Sequence, residues 1–267
     1  MNSKIKKILS KKNKTKIICL TSYSKNFSEV LDKYTDIILV GDSLGSVLYS
    51  FDTTKKVNLN MMIEHSKSVR QGVKSSLLVV DMPYNTYRNK AEALKNAKKI
   101  IKNSKADAVK LEGGEKILKI IKHLRKNKIN VMGHLGILPQ SHKGKFRYKG
   151  KTVSERKKLV TDARLLQRSG VFSIVLECIE TNLAKKITKE LKIPTIGIGS
   201  SVNCDGQVLV TDDLIGLNLT SIKFVKNFYN IRKHIELAVK KFTKEVKSKK
   251  YPSSKFSYWV LSKLFTF

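Results

Sequence analysis

FSIVLECIETNLAKKITKELKIPTIGIG, residues 172–199, decides the fold. Its opening run, residues 172–176, is short, apolar and β-branched, the composition of a strand buried on both faces. Thr181 then offers a helix cap, and Leu183, Ala184, Ile187 and Leu191 recur at the spacing of one helical stripe. A second strand-like run, residues 194–198, follows at once. Strand, helix and strand in so short a space make a βα unit whose two strands run parallel.

The same rhythm extends in both directions. Further strand-like runs stand at residues 16–22, 36–40, 77–81, 108–112, 130–134 and 207–210, which with the two above makes eight. Between them, Asn60 can cap a helix through residue 73, residues 90–105 carry a stripe of Ala93, Leu94, Ala97, Ile100 and Ile101, and Ser154 can cap a helix that stops at Gly170. Eight such units in 267 residues favour a closed (β/α)₈ barrel over an open doubly wound sheet. No GxGxxG or GxxxxGK[ST] follows any run, which counts against dinucleotide and P-loop sites. With no linker-like tract, the expectation is a single domain over residues 1–267, with a basic N-terminal extension (about 1–15) and an aromatic C-terminal tail (about 252–267). That tail carries Tyr258, Trp259, Val260, Leu261, Leu264 and Phe265 at roughly helical spacing, suited to docking on its own domain, another subunit or a membrane surface.

The formal charge of +33 raises nucleic acid, an anionic surface or acidic substrates as partners. Against nucleic acid, only 8 of the 54 basic residues are Arg, and the lysines are spread from Lys4 to Lys263. Solvated surface lysine is therefore the expected reading, with no specific nucleic-acid partner. Cys19, Cys178 and Cys204 are odd in number and far apart, so neither a disulfide framework nor a zinc knuckle is written here. The apolar run after the basic start is too short for a signal peptide or a membrane span, and a cytoplasmic protein is the expectation.

A parallel barrel does its chemistry at the C-terminal ends of its strands, and those ends are polar here. Asp42-Ser43 follows the second run, Asp81 ends the third, Lys110-Leu111-Glu112 ends the fourth, His134 the fifth and Glu177-Cys178 the sixth. Asp42, Asp81 and Glu112 would converge on one rim, where like charges held close call for a hard cation such as Mg²⁺; alternatively each caps a helix or pairs with a lysine. Lys110 and Glu112, two apart, share a strand face, so Lys110 either meets a substrate carboxylate or pairs with Glu112. Glu177 ends an apolar run that would desolvate it toward a general-base pKa, unless it merely serves the helix start before Thr181. Ser43 can donate to a bound carboxylate or finish a turn, His134 can polarise a carbonyl or hold structure, and Cys178 reads as packing.

These residues closely resemble the ketopantoate hydroxymethyltransferase family. The matching stretches are Leu39-Val40-Gly41-Asp42-Ser43-Leu44-Gly45, Val80-Asp81-Met82-Pro83-Tyr84, Val109-Lys110-Leu111-Glu112-Gly113-Gly114, Met132-Gly133-His134-Leu135-Gly136, Pro139-Gln140-Ser141, Val175-Leu176-Glu177-Cys178, Ile193-Pro194-Thr195-Ile196-Gly197-Ile198-Gly199 and Asp205-Gly206-Gln207-Val208-Leu209-Val210. The resemblance implies a barrel of the phosphoenolpyruvate/pyruvate type, a homo-oligomer, usually a decamer, and transfer of a one-carbon unit from 5,10-methylenetetrahydrofolate to 3-methyl-2-oxobutanoate through a Mg²⁺-stabilised enolate, giving 2-dehydropantoate for pantothenate synthesis. By position it implies Asp42, Asp81 and Glu112 at the metal, Glu112 through water. It also implies Asp42, Ser43, Asp81 and Lys110 at the substrate, and Glu177 as the proton acceptor. The chain departs from the family pattern at Ser22, Ser24, Ser46 and Ser200 and in a shorter, more basic loop at residues 141–151, positions that bear on the rim and the folate rather than on the metal carboxylates. A rival within the same superfamily, a carbon–carbon lyase or phosphonopyruvate-type mutase, would carry a reactive cysteine after the fourth run, and none is there.

Overall fold

Eight strands close into a parallel barrel in chain order: β1 (Ile17–Thr21), β2 (Ile37–Val40), β3 (Leu77–Asp81), β4 (Ala108–Glu112), β5 (Val131–Gly136), β6 (Ser173–Glu177), β7 (Thr195–Ile198) and β8 (Gly206–Leu209), with β8 pairing back to β1. The computed structural model describes residues 2–141, 147–218 and 222–258. Its helices, in order, are α1 (Ser3–Ser10), α2 (Lys25–Leu31), α3 (Leu44–Tyr49), α4 (Leu59–Gly72), α5 (Lys90–Ser104), α6 (Leu118–Lys126), α7 (Val153–Arg168), α8 (Thr181–Glu190), α9 (Thr211–Leu214) and α10 (Ile231–Lys247).

Alternation along each strand divides the apolar side chains into two cores. Ile37, Leu39, Leu77, Val79, Ala108, Met132, Val175, Ile196 and Val208 pack together inside the barrel. Their neighbours Ile38, Val40, Leu78, Val80, Val109, Leu111, Ile174 and Leu176 pack outward against the helices, through residues such as Met62, Ala97, Ile121, Leu166 and Ile187. β2 to β6 are covered on both faces and read as continuous apolar runs, whereas β1 and β8 expose Ile18 and Gln207 on their outer side. The outward lysines of α5 (Lys95, Lys98, Lys99, Lys102), α6 (Lys119, Lys122), α7 (Lys157, Lys158) and α8 (Lys185, Lys186, Lys189) are exposed on each helix in turn, the distribution of a solvated surface.

The first ten residues are part of the fold rather than an extension. Ile5 and Ile8, on one face of α1, are buried in the inner core. The helix is tied to the backbone that enters the strands: Lys4 Nζ donates to the carbonyls of Lys74 and Ser76, and the Asn2 amide donates to Asp107 at 2.7 Å. Just beyond it, Lys12 reaches Asp205 at 2.8 Å, and Asp205 also accepts from the amide of Thr195 at 2.8 Å. Lys74, Ser76, Asp107 and Asp205 all stand just before strands, so α1 stoppers the barrel's N-terminal end.

The chain also divides where the single-domain expectation placed no boundary. One compact unit is Met1–Thr211 with Thr220–Val225; the other is Asp212–Leu219 with Lys226–Phe267 and contains α10. No change of composition marks the step, since α10 mixes lysine and apolar residues much as the barrel helices do. Residues 259–267, most of the aromatic tail, lie outside the described residues, as do residues 142–146 of the basic loop. Three caps fall one or two residues earlier than the sequence reading puts them. Asn58 accepts from the Met61 amide, Thr152 from Glu155, and Glu180 from Asn182 and Leu183, so each helix is already under way at the residue expected to cap it.

Truncating the stopper tests its place in the core. Ile8→Ala should cost about 2–5 kcal/mol, the usual range for removing a buried Ile, while leaving catalysis per folded molecule unchanged. Urea unfolding monitored by circular dichroism measures it, with Lys7→Ala as the exposed control.

Candidate active site

The strand register builds the rim. Asp81 lies beside Lys110 between β3 and β4, and Glu112 beside His134 between β4 and β5. Each of these side chains continues an inward-facing series: Val79 then Asp81, Ala108 then Lys110 then Glu112, Met132 then His134, Val175 then Glu177. The upper layer of the barrel interior is thus ionic where the lower layers are apolar. Asp42, Asp81, Lys110, Glu112 and His134 are each no more than 6% exposed.

Lys110 Nζ sits 2.8 Å from Asp81 Oδ1. Spacing along the strand offers Glu112 as its partner; register places Asp81 there instead. Burial opposes the charge on Lys110, but Asp81, Glu112 and Asp42 outweigh it and hold the ammonium above its ordinary pKa. Asp81 Oδ2 accepts the backbone N–H of Asp42 at 3.1 Å. Burial, then Asp81 and Glu112, push the Asp42 carboxyl up to about 8. Burial likewise raises Asp81 against the pull of Lys110.

His134 bridges the two sides of the rim. Its Nδ1 is 3.5 Å from Glu112 Oε1 and its Nε2 3.2 Å from Glu177 Oε2. Burial and Lys110 both disfavour an imidazolium, yet the two carboxylates prevail and raise its pKa to about 9. His134 therefore favours its charged form between the two carboxylates, a role its position in the sequence does not reveal. Glu112, although buried, is held below its usual value by His134, Lys110 and the Gln140 amide. Glu177 keeps 18% of its side chain exposed and faces an imidazole, so the apolar setting expected from the run before it is not what surrounds it.

Three further residues complete the rim. Gln140 stands out in the sequence only as part of a family stretch. Its N–H donates to Glu112 Oε2 (3.1 Å), its Nε2 to Asp42 Oδ2 (2.8 Å) and to the Met82 carbonyl (3.0 Å), and its Oε1 accepts the Tyr87 hydroxyl at 2.5 Å. Tyr23 shares a 2.8 Å hydrogen bond with Ser43 Oγ. A Cβ at Gly41 would come within 2.8 Å of that same Oγ, so glycine is what lets Ser43 turn back to the rim. Cys178 is packing, as expected: burial pushes its thiol up to about 12, the opposite of a reactive cysteine.

Whether the donors fit a metal turns on charge and count. Asp42, Asp81 and Glu112 face one buried ammonium and one imidazolium, and burial together with Asp81 and Glu112 keeps Asp42 raised. Yet among the described residues no three or more His, Cys, Asp or Glu side chains close to a ligand group. Glu112 is already engaged by His134 and Gln140. The residues that fit are Asp42 and Asp81, a donor set for an ion such as Mg²⁺, which keeps several waters and takes one or two carboxylates.

Known proteins share both the sequence and the barrel. Residues 2–254 match the family model described as ketopantoate hydroxymethyltransferase. A 3-methyl-2-oxobutanoate hydroxymethyltransferase of Pelagibacter ubique (strain HTCC1062) is 64% identical over 258 residues, 97% of this chain and 100% of that protein. The enzyme so named from Anaplasma marginale (strain St. Maries) is 42% identical, covering 94% of this chain and 91% of its own. Among solved structures, a phosphonopyruvate hydrolase in complex with oxalate and Mg²⁺ superposes with a TM-score of 0.62 at 10% identity, over 96% of this chain and 93% of that one.

The charge balance of the rim is open to a direct test. Lys110→Met keeps most of the side chain's bulk but strands Asp81, and breaking a buried pair costs about 3–5 kcal/mol. Asp42 and Asp81 have folded pKa values above their unfolded ones, so the cost of ionising them is absent at low pH and grows as pH rises toward about 8 for Asp42. Urea titrations in chelator should show the full penalty at pH 8 and a smaller one at pH 5.

Proposed function

Since this chain belongs to the ketopantoate hydroxymethyltransferase family and is a hydroxymethyltransferase of pantothenate synthesis, we propose that the ionic layer at its strand ends carries out the transfer from 5,10-methylenetetrahydrofolate. The observation that carries the proposal is the buried array itself: Asp81 against Lys110, and His134 between Glu112 and Glu177, on the inner face at the C-terminal ends of four adjacent strands. Lys110 and Ser43, the latter held by Tyr23, meet the carboxylate and keto oxygens of 3-methyl-2-oxobutanoate, with Asp42 and Asp81 beside them. Asp42 and Asp81 would hold Mg²⁺, and Glu112 would reach it through water. When bound, that ion supplies Lewis-acid polarisation of the keto oxygen.

Glu177 takes the proton from C3, and the electron pair of the broken C–H bond moves into the enolate. His134, which favours its charged form, holds the Glu177 carboxylate in place and is not available as a competing base. Lys110 stabilises negative charge where it develops on the substrate oxygens. C3 then attacks the donor's methylene carbon as one of its bonds to nitrogen breaks; water displaces the second nitrogen and its oxygen becomes the new hydroxyl, while the proton taken from C3 and one from the water pass to the two nitrogens, leaving 2-dehydropantoate and tetrahydrofolate. Assembly as a homo-oligomer, a decamer on the family pattern, and residence in the cytoplasm belong to the same reading. Among the described residues no helix is long and apolar enough to cross a membrane.

Turnover of 3-methyl-2-oxobutanoate with methylenetetrahydrofolate, with and without Mg²⁺, tests the assignment. Within it, Glu177→Gln should slow exchange of the C3 proton into deuterated water, measured by NMR without folate, by about 10²- to 10⁴-fold, the usual value of a general base. Undiminished exchange would move the base elsewhere. Metal binding should also carry a proton signature. Asp42, raised to about 8, is protonated in the cation-free protein below that pH, so Mg²⁺ must displace its proton. Affinity should rise by up to about tenfold per pH unit between pH 6 and 8, and calorimetry in buffers of different ionisation enthalpy should register proton release.

A further inference from the structure

Of the oxygens that Asp42, Asp81 and Glu112 bring to the rim, all but one face a donor. Asp81 Oδ1 has Lys110 Nζ at 2.8 Å, and its Oδ2 has the Asp42 N–H at 3.1 Å. Glu112 Oε1 has His134 Nδ1 at 3.5 Å, and its Oε2 has the Gln140 N–H at 3.1 Å. Asp42 Oδ2 has the side-chain amide of Gln140 at 2.8 Å. Among the described residues, Asp42 Oδ1 is the oxygen that no donor faces.

The orientation of Gln140 is fixed by its surroundings. The Met82 carbonyl can only accept, so the side-chain atom 3.0 Å from it is the nitrogen, and the oxygen is left to the Tyr87 hydroxyl. The second hydrogen on that nitrogen is then aimed at Asp42 Oδ2. Only 2% of Gln140 is exposed, so bulk water does not compete for these bonds. Asp42 is gripped through its own N–H on Asp81 and through Gln140 on Oδ2. An oxygen that already accepts an amide hydrogen bond has less to give a cation, and the grip resists the rotation that would bring Oδ2 alongside Oδ1.

Cations differ in what they ask of a carboxylate. Mg²⁺ demands near-octahedral geometry, takes one or two carboxylates and keeps several waters, whereas Ca²⁺ gathers about six to eight oxygens in a flexible shell and accepts both oxygens of one carboxylate. We infer that Gln140 sets the cation selectivity of the rim: by holding Asp42 at Oδ2 it presents Oδ1 singly, which suits Mg²⁺ and penalises Ca²⁺. The inference rests on the cation site proposed above and adds the residue that tunes it. Gln140 is a positioning residue in this role, acting through Asp42. Its backbone N–H, which occupies Glu112 Oε2, is untouched by a change of its side chain.

Calorimetric titration of the full chain, without keto acid, gives the dissociation constants of Mg²⁺ and Ca²⁺ and hence their ratio. Gln140→Met keeps the bulk and removes both N–H donors. Gln140→Asn keeps an amide but is a methylene too short to reach Met82 and Asp42 together, and it leaves the gap polar should Gln140→Met fail to fold. The unsubstituted protein should prefer Mg²⁺, and in both variants that preference over Ca²⁺ should fall at least about fivefold, because Asp42 can then turn both oxygens to the larger ion. A merely structural role would weaken the two ions alike and leave the ratio unchanged. A ratio within about twofold of the original in Gln140→Asn would overturn the inference, whether or not Gln140→Met folds, and would leave the cation site standing. An unsubstituted protein that binds Mg²⁺ with no preference over Ca²⁺ would do the same. One that binds neither ion would overturn the site and the inference together.

Discussion

The pairing register between β3, β4 and β5 is the constraint on which the rest of the molecule depends. In a parallel sheet, alternate residues share a face, and one residue of slip sends every side chain to the opposite side. Here the register sets Asp81 against Lys110 and Glu112 against His134, with all four on the inside. A slip of one position would bury these charges against α5 and α6 and turn Val80, Val109 and Leu111 into the barrel mouth. The apolar layers below, Val79, Ala108 and Met132, hold the register; the ionic layer above exploits it.

That layer would be hard to sustain from single pairs. Removing a carboxylate or an ammonium from water costs several kcal/mol per ion, which one partner rarely offsets. The rim instead shares its charges: Lys110 serves three carboxylates, His134 two, and Gln140 donates from both amide groups to Asp42 and Glu112. The cost of a further negative charge among these groups falls on Asp42, whose carboxyl is raised to about 8. Local environment thus separates two roles among similar carboxylates: Glu112 is held ionised by its donors, and Asp42 is held protonated by burial and then by Asp81 and Glu112.

Much of this is legible in the sequence because the two periods that matter are short. Strand runs and helix stripes repeat within a few residues, and the polar residue at the end of each run identifies the rim, so Asp42, Asp81, Lys110, Glu112 and Glu177 stand out. Pairing across strands is not written locally: the nearest carboxylate to Lys110 along the rim motifs is Glu112, yet its ion pair is with Asp81, 29 positions earlier. Gln140 and Tyr87 escape a sequence reading for the same reason, lying in loops whose approach to the rim no periodicity announces. The stopper helix α1 is hidden by its lysines, which leave only Ile5 and Ile8 to reveal a buried face. The barrel itself is shared at 10% identity with a phosphonopyruvate hydrolase, so the architecture alone does not name a reaction.

A barrel stoppered at one end and filled along its axis has a single doorway. With Ile5 and Ile8 of α1 seated in the inner core, whatever reaches the barrel interior does so past the ionic layer at the strand C-terminal ends. The chain's first ten residues, remote from that layer, would in this way leave solvent and ligand one face of the barrel to approach.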